Sequence, residues 1–255
     1  MKKKKLLIVL CVILAAVAIA TASIAGTVAY MIHSSYVSNV FTVGNVKLLL
    51  RETKVDNQGN PVKDSAGNTT KTDTNSYHLM PGHSYTKDPT ITVDPSTESC
   101  YLFLVTTNQI VDIEAKDKPT MAEQMKANGW AIFKEDLNTY SCVWVYCGTD
   151  QTNENDPNKA ITVCGTNAKL KPEGVKELAE TDEIKIFTAF HVDENAEKNS
   201  NFGLYESAKV TLKAVGIQSE AFSDDPAGTV GGLTAVQKAW AAVLEQDPFI
   251  ETAAN

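Results

Sequence analysis

The apolar positions fall into three patterns along the chain. An unbroken apolar run from Leu6 to Ala20 comes first, followed by strand-like alternation and then by one stretch of helical spacing near the end. Between residues 37 and 50, Phe41 and Val43 alternate with polar neighbours, while Val46, Leu48 and Leu50 alternate in the opposite parity, with Gly44 between the two sets. Such a parity change arises from a β-bulge at the glycine or from a strand buried on both faces. Burying about four of these side chains stabilises by roughly 6–12 kcal/mol, at about 1.5–3 kcal/mol each.

Residues 53 to 79 turn polar, with Asp56-Asn57-Gln58-Gly59-Asn60-Pro61 and Asp64-Ser65-Ala66-Gly67-Asn68, and read as a long surface hairpin or mobile loop. Asp56, Gln58 and Asn60 have the alternate spacing of calcium loops but lack the glycine and glutamate that close one, which favours a solvated turn. Strands are expected at 88–93, 100–107, 130–133, 141–146, 160–164, 183–191 and 207–218. Residues 119–129 predict a short helix, opened by Pro119 and stopped at Asn128-Gly129, and 172–180 a second one. Leu233, Val236, Trp240, Val243 and Leu244 predict an amphipathic helix over about 233–246, and Asp193 to Asn201 a loop. Strands separated by turns, with occasional helices, predict a mainly β, antiparallel sandwich. No internal repeat is evident.

Charge sharpens the reading of the N-terminus. Lys2 to Lys5, the apolar run and the small residues after it have the three-part form of a secretory signal. Thr27 and Ala29 place small residues at −3 and −1, so cleavage is expected between Ala29 and Tyr30; Ala20 and Ala22 also permit an earlier cut. The alternative is an uncleaved anchor, because Leu6 to Ile32 carries no charge and about 20 apolar residues span a bilayer. The whole chain has a net charge of −8; residues 1–29 hold four of its 23 basic residues and no acid, so the remainder carries 19 against 31, a net of −12. That balance argues against nucleic acid and anionic lipid as partners.

The run Ala25-Gly26-Thr27-Val28-Ala29-Tyr30, followed by Ser38-Asn39-Val40-Phe41-Thr42-Val43-Gly44-Asn45-Val46, resembles the start of the TasA/camelysin family. Met80-Pro81-Gly82, Lys87-Asp88-Pro89 and Val210 to Gln218 extend the resemblance along the chain, with a patchy region between about Gln109 and Asp182. Met31 stands where an aromatic or acidic residue is common in the family. The resemblance implies a jelly roll exported by Firmicutes through a SipW-type signal peptidase, with residues 30–255 as one domain. It also implies a secreted subunit of biofilm-matrix fibres. The freed segment of about Tyr30 to Val43, carrying Val37, Val40, Phe41 and Val43, would add a strand to the next copy of the chain, with an accessory matrix or anchoring protein as a further partner.

A monomeric or membrane-anchored surface adhesin is the alternative, for which Trp130 is the tryptophan left free to stack on a ligand. Camelysin relatives have been classed as metallopeptidases. A zinc peptidase requires two histidines one helical turn apart, however, and His33, His78, His83 and His191 are not so spaced. No nucleophile signature appears, so neither an enzyme nor a cofactor is expected. Cys100, Cys142, Cys147 and Cys164 permit three disulfide pairings; opposite strand parity argues against Cys142 with Cys147, and buried thiols are the alternative to bridges.

Overall fold

A computed structural model describes residues 32–35, 45–136, 140–149, 155–168, 176–177, 183–196, 205, 208–227, 229, 231–248 and 250. The chain runs through β1 (Ile32–Ser35), β2 (Leu48–Thr53), β3 (Lys71–Thr72), β4 (Ser84–Thr86), β5 (Thr90–Val93) and β6 (Cys100–Asn108). After β6 comes helix α1 (Met121–Ala127), then β7 (Trp130–Asp136), β8 (Ser141–Tyr146), β9 (Thr162–Cys164) and β10 (Lys176–Glu177). The last part holds β11 (Glu183–Lys185), β12 (Ala189–His191), β13 (Val210–Gln218) and helix α2 (Ala235–Gln246).

The larger sheet has the order β1-β13-β6-β8-β7, with β9 also on β6 and β10 on β9. A second sheet, β11-β5-β2-β3, and the pair β12-β4 complete the strands. All of these pairs are antiparallel except β9 with β10. The protein is therefore a mainly β, antiparallel sandwich with few helices, as the alternation predicts.

The larger sheet lies between two cores. On one face Leu102, Leu104, Trp130, Trp144 and Ala214 meet Leu48, Leu50, Ile91 and Val93 of the second sheet and Val46 just before it. On the other face Phe103, Val105, Val143, Val145, Val215 and Ile217 meet Val236, Ala239, Trp240 and Val243 of α2. Central strand β6 is consequently apolar almost continuously, which is what burial on both faces demands. In β2, Leu48 and Leu50 are buried while Leu49 is 44% exposed, so the alternation read over 46–50 is the observed one. Gly44 and the proposed parity change lie outside the described residues.

Several expectations are corrected. The stretch 183–191 is two strands rather than one, because Ile186 and Phe187 are consecutive buried residues. That shift in parity moves the chain from its pairing with β5 to a pairing with β4. Residues 176 and 177, expected in a helix, pair in parallel with Val163 and Cys164; a glycine inside 172–180 weakens helix by about 1 kcal/mol, and strand pairing overrides it. Leu233 is 46% exposed and precedes the cap of α2 instead of joining its apolar stripe.

Both helices begin with a capping box, Thr120/Glu123 for α1 and Thr234/Gln237 for α2. Helix α1 stops at Asn128, and Gly129 follows with φ +87°, the left-handed geometry that ends helices.

The polar stretch after β2 is an ordered hairpin of repeated turns. Asp56 Oδ1 accepts from the backbone N–H groups of Gln58 and Asn60, and Asp64 Oδ1 from those of Ala66 and Asn68. These bonds hold both exposed carboxyls below the usual aspartate range, those to Asn60 and Asn68 most strongly. The eight-residue spacing continues in the backbone: Lys54 N–H donates to Thr70 O, Val62 N–H to Lys54 O, and Thr70 N–H to Val62 O. Asp56 and Asp64 are thus engaged in shaping turns. The loop expected from Asp193 starts with a turn, Ala196 N–H donating to Asp193 O.

Candidate functional site: the β1–β13 edge

The residues expected at the cleavage point, Ala29 and Tyr30, and those expected in the assembly strand, Val37, Val40, Phe41 and Val43, lie outside the described residues. Of that segment, Ile32 to Ser35 are described, as the edge strand β1. Its register on β13 is Ile32 with Ile217, His33 with Gly216, Ser34 with Val215 and Ser35 with Ala214. β13 itself has nine residues, VTLKAVGIQ, and its other side is hydrogen-bonded to β6 along its whole length.

The two ends of this sheet differ chemically. At the far end, β7 closes with exposed Lys134, Glu135 and Asp136, and its register slips between Ile132 and Lys134. Charge and a bulge are the usual devices that keep an edge from pairing with another chain. At the near end, the described residues of β1 pair with Ala214 to Ile217 of β13, a mostly apolar strand that also carries Thr211, Lys213 and Gln218. Were β1 to leave, β13 would present backbone donors and acceptors at Ala214 to Ile217 to any incoming strand.

The β13 edge is packed closely from beneath. A Cβ on Gly216 would stand 2.6 Å from Val46 Cγ1 and 2.9 Å from Leu48 Cδ1, so the second sheet packs against bare backbone there. At the end of β13, the buried Glu98 carboxylate accepts from the Asn45 and Gln218 side-chain amides. Thr97, fully buried, has its hydroxyl hydrogen-bonded to both the N–H and the carbonyl of Lys47, fixing the entry to β2.

Other chemistry-bearing groups were gathered by the fold in ways the sequence did not disclose. His191 Nδ1 lies 2.7 Å from Ser84 Oγ across the β4–β12 pair, and Lys118 Nζ lies 3.3 Å from the same oxygen. Burial, then the Lys118 charge, lowers the His191 pKa, against the opposing pull of Asp117. Among the described residues no carboxylate hydrogen-bonds the imidazole; its partner there is the Ser84 hydroxyl. His78 and His83 stand on either side of the Pro81-Gly82 turn, and among the described residues no three His, Cys, Asp or Glu side chains are grouped to hold a metal.

Trp130 is not free to stack on a ligand. It is fully buried, its indole N–H donates to Lys185 O at 2.9 Å, and its ring packs 5.3 Å from that of Tyr146. Trp144 and Trp240 are buried as well. The helix-like proline and Asn-Gly signals around α1 had left Trp130 at what reads as a strand start; only the packing of β11 over it closes the site.

Cys100, Cys142, Cys147 and Cys164 are not joined in disulfides. Cys142 and Cys147 belong to cores on opposite faces of the sheet, as their parity requires. Burial pushes the Cys100 and Cys142 thiols up to about 12 and that of Cys147 to about 11. Because the thiolate is the nucleophile, native alkylation by iodoacetamide at neutral pH is expected to run roughly 10²–10³-fold slower than in denaturant. Quantitative labelling of Cys100, Cys142 or Cys147 within minutes under native conditions would contradict this burial.

No helix among the described residues is long and apolar enough to cross a membrane. Compared with protein-family models, with curated proteins and with solved structures, the chain matches none.

Proposed function

We propose that the protein is a secreted structural subunit of extracellular matrix fibres, joined head to tail by exchange of its N-terminal strand. The observation that supports this reading is the contrast between the two edges of the larger sheet: β1, itself part of the N-terminal segment, pairs as the edge strand on the mostly apolar β13, whereas the opposite edge ends in charge and a bulge. In the proposal, a SipW-type peptidase cuts between Ala29 and Tyr30. The freed segment to Val43 then replaces β1 on the β13 edge of the next copy, with Val37, Val40, Phe41 and Val43 supplying side-chain contacts. Backbone hydrogen bonds provide affinity and alternate side chains provide specificity. Such a contact does not close on itself, so repetition yields a filament. Cleavage is the switch, since a tethered N-terminus cannot reach a neighbour. An accessory protein anchors the fibre to the cell surface.

The test compares a chain beginning at Tyr30 with one beginning at Asn45, by light scattering and negative-stain microscopy. Filaments from the first and none from the second are expected. Monomers from both would overturn the proposal in favour of a monomeric surface module.

A further inference from the structure

A second site lies away from the β1 edge. Between α1, the β7–β8 hairpin and the start of β13 there is a cleft of about 350 Å³. Its interior is apolar, formed by Met121, Met125, Ile132, Trp144, Phe187 and Leu212. The one indole hydrogen at its floor is already satisfied, Trp144 Nε1–H donating to Thr106 Oγ1 at 3.0 Å, and the Thr106 hydroxyl in turn donates to Cys142 O. A ligand reaching the floor therefore meets no polar group in need of a partner.

The mouth has the opposite character. Asp112, Glu135 and Asp136 stand around it, exposed, and the Tyr140 hydroxyl donates to Asp112 Oδ2 at 3.2 Å. Glu135 stands opposite Cys142 in the β7–β8 register, and its charge adds to burial in raising the Cys142 thiol. Two of the four large apolar residues exposed among those described, Val111 and Tyr140, also stand here. The volume is near the lower end of the range of about 300–1,000 Å³ found for small-molecule pockets, which suits a compact ligand better than a helix or strand.

We propose that this cleft binds a small organic amine, with its apolar or aromatic body against Met121, Met125 and Trp144 and its ammonium at the carboxylates of Asp112, Glu135 and Asp136. The two buried methionines supply a polarizable, adaptable wall suited to aromatic rings. The carboxylates supply the charge that a neutral or anionic compound of the same shape cannot use. This inference is independent of the assembly reading, since the cleft contains no residue of β1.

The experiment titrates the full chain with phenethylamine, 2-phenylethanol and phenylacetate, following Trp144 fluorescence and the methyl resonances of Met121 and Met125. The amine is expected to perturb these signals and to bind at least tenfold more tightly than the alcohol, with phenylacetate weaker still. Raising the salt concentration should narrow the gap, as charge screening requires. Glu135→Gln together with Asp112→Asn, both at exposed positions, should remove the preference for amine over alcohol while leaving the fold intact. Ala122→Trp, which places a ring in the cleft, should abolish binding of both at an unchanged melting temperature. Equal binding of all three compounds, no perturbation of the three reporters by millimolar amine, or amine selectivity that survives the double substitution would each overturn the proposal.

Discussion

Replacing Lys87 by methionine is expected to destabilise the protein by about 3–5 kcal/mol, the usual consequence of leaving one member of a buried ion pair alone. Lys87 Nζ donates to Glu52 Oε2 at 2.7 Å, with both side chains less than a tenth exposed. Glu52 Oε1 accepts from Asn75 Nδ2, and Asn75 also caps the Thr53 carbonyl and the Val55 N–H. Tyr77 lies under the ammonium, 5.9 Å from ring centroid to Nζ, and burial, then the charges of Glu52 and Asp88, push its phenol well above the usual tyrosine range.

In Lys87→Met this network keeps a carboxylate with no cation. The double variant Glu52→Gln with Lys87→Met keeps an acceptor for Asn75 and buries no charge, so it should recover most of the loss. Urea denaturation of the two single variants and the double variant measures the coupling. A loss below about 1 kcal/mol in the Lys87→Met single variant would show that the pair is solvated in solution.

The second large effect is expected at Gly129. Its φ of +87° carries a cost of roughly 1–2 kcal/mol for any residue with a Cβ. A Cβ there would also stand 2.2 Å from Gly148 O and 2.4 Å from Gly148 C, both backbone atoms that cannot rotate away. Overpacking of this sort adds about 1–3 kcal/mol, so Gly129→Ala should lose about 2–5 kcal/mol in all. Gly67 supplies the control. It has a similar φ of +85°, and a Cβ would meet nothing within 4 Å, so Gly67→Ala isolates the conformational cost alone. Thermal or urea unfolding of the two variants should therefore differ by the packing contribution. Equal losses would mean that the Gly129–Gly148 approach relaxes freely.

These two sites differ in how far they could be read beforehand. Asn128-Gly129 already marks a helix stop, because the left-handed residue after a helix is a local requirement. The partner of Gly129 is 19 positions away and is brought there by the β7–β8 hairpin. Glu52 and Lys87 lie just outside the stretches read as strands, 37–50 and 88–93, and nothing local says that their charges meet. Their pairing follows from the register of β2 on β5, Leu50 with Ile91 and Arg51 with Thr90.

The candidate assembly edge divides in the same way. The alternation in Val210 to Gln218 marked β13 as a strand, but whether it is central or near an edge depends on which strands align beside it. The amine cleft was not legible at all. Its methionines fall in the stretch 119–129, read only as a short helix; both are buried, and their inner surfaces wall a cavity because α1, β7, β8 and β13 do not close completely over it.

What the sequence alone determined was local: the strands with strict alternation, the helices near 119–129 and 233–246, the turns at Asx-Gly positions and the opposite facing of Cys142 and Cys147. Each depends on chain periods of 2 or 3.6 residues and on backbone preferences within a few positions. The tertiary structure decided what depends on pairing between distant segments. It split 183–191 between two sheets, drew 176–177 into a parallel pair, buried Trp130 and Lys87, and set β1 beside β13 at the sheet edge. Those outcomes follow from competition among many similar strands for the same partners, and local pattern carries no information about which pairing wins.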